Sequence, residues 1–174
     1  LITNDIAMAL RTPTKDAEEI KVLSGCAKQL LADPDAQVEV PGLGDRAPRM
    51  LSRQALAGVI EPRVEEIFSL VQQVIRDSGF EEVLSSGIVL AGGSAVMPGM
   101  IELGEDIFLK PVRRGAPKHA SALSDIVAHP RAATVMGLLE EARLARLRGH
   151  TVAQKASSMQ SAFSRIKDWF TGVF

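Results

Sequence analysis

The spacing of apolar residues within residues 1–148 predicts five helices. Residues 4–10 and 14–31 carry apolar side chains at steps of three and four, and Pro13 between them disfavours helical geometry in the residue before it. Residues 100–108 and 130–148 contain helices with the same spacing. In each case the apolar positions fall on one side of the helix, so each helix is expected to bury that side.

The fifth predicted helix is the longest and lies in the middle of the sequence. Ser52 is expected to cap its N-terminus, because a serine hydroxyl can accept a hydrogen bond from the backbone of the first turn. Pro62 is expected to kink the helix or to remove one of its hydrogen bonds, and Gly79 is expected to end it. Its apolar residues repeat at helical spacing: Leu56, Val59, Ile60, Val64, Ile67, Phe68, Val71 and Ile75.

Four short stretches are expected to form strands. Residues 37–41 alternate between polar and apolar side chains, and residues 49–51 are expected to pair with them in a hairpin. Residues 86–91 contain a continuous apolar run, typical of a strand buried on both faces of a sheet, and residues 111–117 read as a strand followed by a Gly/Pro turn. This order predicts an α/β fold in which a helix-rich insertion with one hairpin, residues 14–78, interrupts a parallel-sheet lobe.

Aromatic side chains are concentrated near the C-terminus. Of six phenylalanines and one tryptophan, three phenylalanines and the tryptophan lie within residues 163–174. On a helix this segment has one apolar stripe with two basic residues beside it: Phe163, Ile166, Trp169, Phe170, Val173 and Phe174, flanked by Arg165 and Lys167. Such a composition is typical of a helix lying in the plane of a membrane surface. The alternative is a terminal helix docked on the protein's own core, but the polar stretch 148–158 before it favours the membrane.

Composition and charge exclude several classes of protein. The apolar fraction of 46% and charged fraction of 24% are ordinary for a soluble protein, and a net charge of −1 argues against bulk nucleic-acid binding. No apolar run reaches the roughly 18 residues of a membrane-spanning helix. The single cysteine, Cys26, permits no internal disulfide and is expected to be a buried structural thiol in a reducing compartment. Because the sequence begins at Leu1, we expect it to be the C-terminal piece of a longer chain.

Two local patterns carry candidate binding chemistry. Gly92, Gly93 and Ser94 directly follow a predicted strand, where glycines let a ligand approach the backbone closely. The alternative is an ordinary tight turn between a strand and a helix. Glu18 and Lys21 lie three residues apart and therefore share a helical face. One interpretation is a solvated ion pair that contributes little. The other is a binding pair, in which Glu18 accepts from ribose hydroxyls and Lys21 contacts a base or a phosphate.

Several motifs resemble one protein family. Residues 87–95, with the sequence GIVLAGGSA, resemble the adenosine-binding motif of the actin-like ATPase superfamily. Six other stretches resemble bacterial FtsA proteins and occur in the same order: residues 3–7, 16–21, 25–27, 38–41, 59–63 and 134–139. The resemblance covers the whole chain. It implies an actin-like (ribonuclease H-like) lobe with a small inserted α+β subdomain and a C-terminal amphipathic helix.

The resemblance also implies a division of the chain and a function. Residues 1–13 and 79–147 would form lobe 2A, residues 14–78 subdomain 2B, residues 148–160 a linker and residues 161–174 a membrane-targeting helix. FtsA proteins bind ATP with Mg²⁺, polymerise, and tether the tubulin-like FtsZ to the cytoplasmic face of the bacterial inner membrane at the division site. The implied partners are therefore the C-terminal peptide of FtsZ, further copies of the chain, later division proteins and anionic lipid.

Individual residues acquire roles from the same resemblance. Six would form the adenosine side of a nucleotide site, with the last of them near the base: Glu18, Lys21, Gly92, Gly93, Ser94 and Met97. Arg49 and Arg63 lie in the region that receives the acidic FtsZ peptide. Two cations near one face can pair with peptide carboxylates, although isolated surface arginines usually pair with nothing. The apolar stripe of residues 163–174 matches the membrane-targeting sequence of the family.

The sequence also departs from the family pattern. Ala91 stands where threonine is more common. The two phosphate loops and the inserted 1C domain of the family are not found in it, so this chain alone is expected to bind ATP weakly or not at all and to have no catalytic residues. His119, His129 and His150 are expected to be surface residues without metal-ligand spacing. The alternatives are another ATPase of the superfamily, sugar-kinase-like or Hsp70-like, and a scaffold whose tail docks on a protein.

Overall fold

A computed structural model describes residues 1–117 and 127–148, and the chain divides into two compact units, Leu1–Ala133 and Thr134–Phe174. The helices are α1 (Ile2–Leu10), α2 (Thr14–Ser24), α3 (Arg53–Asp77), α4 (Met100–Phe108) and α5 (Ala133–Leu147). The strands are β1 (Gln37–Val40), β2 (Arg49–Ser52), β3 (Ile88–Leu90) and β4 (Val112–Arg114). Short 3-10 turns occupy Gln29–Leu31, Glu81–Val83, Gly93–Val96 and Pro130–Ala132.

Helix α2 ends at Ser24, so the prediction of a helix as far as residue 31 is wrong. The backbone becomes extended at Gly25, and the next two residues, Cys26 and Ala27, are fully buried. The amide of Ala27 donates to the carbonyl of Pro98 at 2.8 Å, a long-range bond that a continuing helix could not make. The apolar residues that follow belong to the separate turn Gln29–Leu31, in which Leu30 is largely exposed.

The hairpin and the long helix follow the predictions. Strands β1 and β2 pair antiparallel, and Val38 and Val40 turn their side chains into the core while Gln37 and Glu39 face outward. The hydroxyl of Ser52 accepts a hydrogen bond from the amide of Ala55 at 3.2 Å, which confirms the predicted N-cap of α3. Helix α3 continues through Pro62 and ends just before Gly79.

Strands β3 and β4 form a second, parallel sheet. Their register places Ile88 opposite Val112 and Leu90 opposite Arg114. Ile88 and Leu90 pack against the main core, whereas the side chain of Val89 is 47% exposed. Successive side chains of a strand point to opposite faces. The expectation that β3 is buried on both faces is therefore wrong for the part of the chain that the structure describes, because the core covers one face only.

The main core is organised around helix α3. Its inward side chains Leu56 and Ile60 are fully buried, and they belong to the same cluster as Ile6 of α1. At the other end of the core, the rings of Phe68 and Phe108 lie 5.2 Å apart at an interplanar angle of 44°, a favourable tilted geometry for an aromatic pair. This shared cluster holds α1, α3, α4 and the hairpin together.

Cys26 belongs to a smaller cluster with Ala32 and Ala57, which confirms a buried structural thiol. Its sulfur donates weakly to the carbonyl of Lys28 at 3.2 Å. The turn that follows α2 is therefore packed against α3, because Ala57 belongs to that helix.

The described part of the second unit is helix α5, which confirms the helix predicted within residues 130–148. Arg143 and Glu140 form an ion pair at 2.6 Å along its surface. Residues 149–174, including the predicted membrane-targeting stripe, lie outside the described residues. Across the ranges 1–117 and 127–148, none of the helices combines the length and the apolar character needed to cross a membrane.

Candidate functional site

An open cleft of about 410 Å³ lies within the first unit, between α2 and the turn that follows β3. Charged and polar residues line it together with apolar ones: Glu18, Lys21, Val22, Gly25, Gly93, Ser94, Val96, Met97, Pro98, His129 and Arg131. Its size and its mixed lining are those of a small-molecule site, in which apolar surface holds the ligand and a few polar groups orient it.

The α2 wall of the cleft carries a hydrogen-bonded group of three side chains. The ammonium of Lys21 lies 2.6 Å from a carboxylate oxygen of Glu18 and 3.0 Å from the hydroxyl of Thr3. That hydroxyl in turn donates to the same carboxylate. The hydrogen bond from Lys21, and then the one from Thr3, hold the pKa of Glu18 below its usual value, although burial acts in the opposite direction. Glu18 is therefore ionised at neutral pH, and its other oxygen is left to accept from a ligand.

The opposite wall is the turn after β3. Gly92 adopts a φ of +97°, a conformation that side chains disfavour, and the 3-10 turn Gly93–Val96 begins directly after it. The hydroxyl-bearing Ser94 is exposed on this turn. Met97 is 7% exposed, and its side chain forms part of the floor of the cleft.

The two walls meet at Gly25, where a side chain has no room. A Cβ atom at this position would lie 2.3 Å from the carbonyl oxygen of Lys21 and 3.2 Å from the terminal methyl of Met97. Because Gly25 has no side chain, the end of α2 that carries Lys21 can lie close to the side chain of Met97. No other residue type fits here without a shift of one wall.

Five of the six residues predicted for the adenosine side line this cleft: Glu18, Lys21, Gly93, Ser94 and Met97. Gly92 lies just outside the lining and sets the direction of the turn. The pattern on α2 and the motif after β3 are far apart in the sequence, and the fold brings them together. Their role in nucleotide binding stays a prediction.

His129 and Arg131 also line the cleft, and the sequence reasoning missed both. His129, expected at the surface, is half-buried in the lining of this open cleft, and its Nδ1 accepts from the backbone amide and the Nε of Arg131, at 3.2 and 3.3 Å. The Pro130 carbonyl accepts from the amide of Gly92 at 3.1 Å, which brings this loop to the cleft. In the sequence, the local feature that marks this loop is Pro130, which stands between His129 and Arg131. His119 and His150 lie outside the described residues.

The two arginines predicted to bind a peptide lie elsewhere, and both contact α1. Arg49 donates to the carbonyl of Leu10 at 2.8 Å. Arg63 forms a forked pair with Asp5, at 2.5 and 3.0 Å, and also contacts the carboxylate of Glu66. The hydrogen bond from Arg63 lowers the pKa of Asp5. The expectation that isolated arginines have no partner is wrong here, while peptide binding by Arg49 and Arg63 stays a prediction.

Residues 1–117 and 127–148 contain no group of three or more His, Cys, Asp or Glu side chains that could hold a metal ion. The polar and apolar groups that line the cleft suit an organic ligand with hydroxyl and anionic groups. Glu18 can accept from hydroxyls, Ser94 and the cations can donate to an anion, and Val22, Val96 and Met97 can cover an apolar or aromatic surface.

Comparison with known proteins matches this chain to one family. Residues 1–137 match the family of the cell division protein FtsA. A cell division protein FtsA of Pseudomonas aeruginosa is 46% identical over 179 residues, a match that covers 99% of this chain and 43% of that protein. Another, from Escherichia coli K12, is 39% identical over 183 residues, covering 100% of this chain and 44% of that protein. The chain thus spans less than half the length of these relatives.

Solved structures are similar at lower sequence identity. The crystal structure of MreB 5 of Spiroplasma citri bound to AMPPNP matches with a TM-score of 0.58 at 16% identity, covering 86% of this chain and 45% of that one. The structure of the same protein bound to ADP matches with a TM-score of 0.55 at 15% identity, covering 82% and 45%. At such identities the likeness shows the fold alone, and it confirms the actin-like fold predicted from the sequence.

Proposed function

The chain belongs to the FtsA family of cell division proteins and has an actin-like fold, and on that premise we propose that its cleft takes the adenosine part of ATP. The observation that carries the proposal is the convergence of Glu18, Lys21, Gly93, Ser94 and Met97 on one cleft. The actin-like neighbours bound to AMPPNP and to ADP support the choice of an adenine nucleotide.

The chemistry of the lining suits a nucleoside. The Glu18 carboxylate accepts from the two ribose hydroxyls, and Thr3 and Lys21 hold that carboxylate in place. Met97 and Val22 offer apolar surface to the base. Within the described ranges no carboxylate cluster is present for Mg²⁺. We therefore propose that Mg²⁺ and the terminal phosphates are held by other parts of an FtsA-length protein, and that this chain alone binds ATP only weakly.

The nucleotide proposal is tested on the 174-residue chain by NMR titration with millimolar adenosine. Glu18→Gln should weaken adenosine binding about fivefold to tenfold, the value of a hydrogen bond to a charged group in a half-exposed site. Glu19→Gln is the matched control, because Glu19 is the next residue of α2 and does not line the cleft. The proposal is overturned if the two substitutions weaken adenosine binding equally. It is also overturned if millimolar adenosine shifts no NMR signals of the cleft residues in the unmodified chain. Micromolar ATP affinity in calorimetry would refute the prediction of weak binding.

We further propose that residues 163–174 attach the protein to the cytoplasmic face of the inner membrane at the division site. Six apolar side chains, each worth at most about 1.5–3 kcal/mol when fully buried, are only half-buried in an interface and must be ordered there. A single tail should therefore bind reversibly. A polymer that presents many tails would bind far more firmly through effective concentration, and it would hold FtsZ filaments at the membrane.

The anchoring proposal is tested by co-sedimentation of the chain with vesicles that contain anionic lipid. Replacing Trp169 and Phe170 with glutamate should release the chain into the supernatant, because it places two charges in the apolar stripe. Replacing Ser164 and Thr171 with glutamate adds the same charge outside the stripe and should leave much more of the chain bound. If both double variants behave alike, charge rather than the apolar stripe governs attachment. If the unmodified chain stays in solution, the tail docks on a protein instead.

A further inference from the structure

We propose that Arg131 contacts the α-phosphate of the nucleotide and that His129 is the positioning residue that holds its guanidinium in the cleft. This inference rests on the proposed adenine-nucleotide function and deepens it. It assigns a phosphate-recognising group to the loop that ends the first unit, a region for which no binding role is predicted from the sequence.

The loop that carries Arg131 is fixed to the glycine turn. The carbonyl of Pro130 accepts from the amide of Gly92 at 3.1 Å, and a Cβ atom on Gly93 would lie 4.0 Å from the Cβ of Arg131. The side chain of Arg131 thus starts directly beside the turn that is proposed to carry the nucleoside. An arginine in this position reaches the anionic end of a ligand whose ribose is held by Glu18.

His129 orients this arginine through one nitrogen atom. Its Nδ1 lies 3.2 Å from the backbone amide and 3.3 Å from the Nε of Arg131, and both groups are donors. Nδ1 can accept only when it carries no hydrogen, which requires the neutral ring with hydrogen on Nε2. Because Nε is engaged by His129, the two terminal nitrogens of Arg131 remain to donate to an oxyanion as a fork.

The charges in the cleft favour an anion at this place. Lys21 is already paired with Glu18, whereas Arg131 has no carboxylate partner within the described parts of the chain. Arg114 of β4 adds a second cation to the same turn, since its Nε donates to the carbonyl of Ala95 at 2.8 Å. Arg131 and Arg114 thus bring two positive charges to this turn, and a phosphate would neutralise part of that charge.

The experiment compares adenosine with AMP, both titrated at millimolar concentration into the 174-residue chain and followed by NMR. The unmodified chain should bind AMP more tightly than adenosine by about threefold to tenfold, as expected for a charge-assisted contact that is partly open to water. Arg131→Ala should remove this preference, which is the ratio of the AMP affinity to the adenosine affinity measured on the same variant. His129→Ala should reduce the preference, and His129→Asn should restore much of it, because the asparagine oxygen can accept in place of Nδ1.

Each outcome decides between the inference and the function on which it rests. If adenosine binds but AMP binds no better in any variant, the phosphate role of Arg131 is overturned and the adenosine site stands. If His129→Asn behaves like His129→Ala, or if ¹⁵N shifts of the ring show the hydrogen on Nδ1, the positioning role of His129 is overturned. If neither ligand perturbs the cleft, the proposed nucleotide function itself fails.

Discussion

The core around α3 and the cleft beside α2 use their side chains in opposite ways. In the core, Leu56 and Ile60 are fully buried within a cluster of apolar side chains. In the cleft, the side chain of Glu18 is 51% exposed although it is held by two hydrogen bonds. Burial supplies most of the stability of a fold, while half-exposed polar groups add little. Substitutions in the core should therefore lower the free energy of unfolding, and substitutions in the cleft should weaken ligand binding. A substitution that changes both quantities marks a residue shared by the two regions.

The largest effect is expected in the core at Phe108. This side chain is 2% exposed and contacts the ring of Phe68, so Phe108→Ala should lower the free energy of unfolding by about 3–5 kcal/mol. Phe80→Ala is the matched control, because Phe80 is 64% exposed and should lose much less. Denaturant unfolding followed by circular dichroism measures both. Similar losses for the two variants would mean that the ring of Phe108 is not part of the core.

Gly25 is the point at which core and cleft are expected to be coupled. Gly25→Ala places a methyl group against the Lys21 carbonyl and the Met97 side chain, which should destabilise the fold by about 1–3 kcal/mol and also weaken adenosine binding. Gly137→Ala is the control, because the added methyl group meets no atom within 4 Å among the described residues, apart from its chain neighbours and the backbone of its own helix. Alanine favours a helix by about 0.5–1 kcal/mol over glycine, so this variant should be slightly more stable. If Gly25→Ala lowers the free energy of unfolding but leaves adenosine affinity unchanged, core and cleft are not coupled at this residue.

The ion pair between Asp5 and Arg63 is expected to contribute a smaller, pH-dependent part of the stability. The pKa of Asp5 is lowered in the folded state, chiefly by its hydrogen bond with Arg63. Its stabilising effect is therefore present above the pKa of the unfolded chain, about 3.9, and is lost as the pH falls through the lower folded value. Asp5→Asn should flatten the acid limb of a plot of unfolding free energy against pH. Asp45→Asn, in an exposed loop, is the matched control for the removal of one carboxylate.

Local patterns predicted much of the fold. The apolar spacing of α3 and α4 and the cap at Ser52 were readable because they depend on residues only a few positions apart. The end of α2 was not readable, since the bond from Ala27 to Pro98 joins distant segments. The exposed side chain of Val89 likewise depends on which face of the sheet the core covers.

The candidate site divides in the same way. Glu18 and Lys21 were found from their spacing on one helix, and Gly93 and Ser94 from a motif after a strand. His129 and Arg131 carry no such pattern. They reach the cleft through contacts between distant segments, such as the hydrogen bond from Gly92 to Pro130, which no local rule contains.

The smallest expected effect concerns the hydroxyl of Thr3. Thr3→Val removes one of the two hydrogen bonds that lower the pKa of Glu18, so this pKa should rise while the free energy of unfolding changes little. Lys21→Met should raise it further, because the hydrogen bond from Lys21 is the larger cause of the lowering. A ¹³C NMR titration of the Glu18 carboxyl measures both changes. A larger rise for Thr3→Val than for Lys21→Met would show that the hydroxyl, and not the ammonium, holds the carboxylate that faces the ligand.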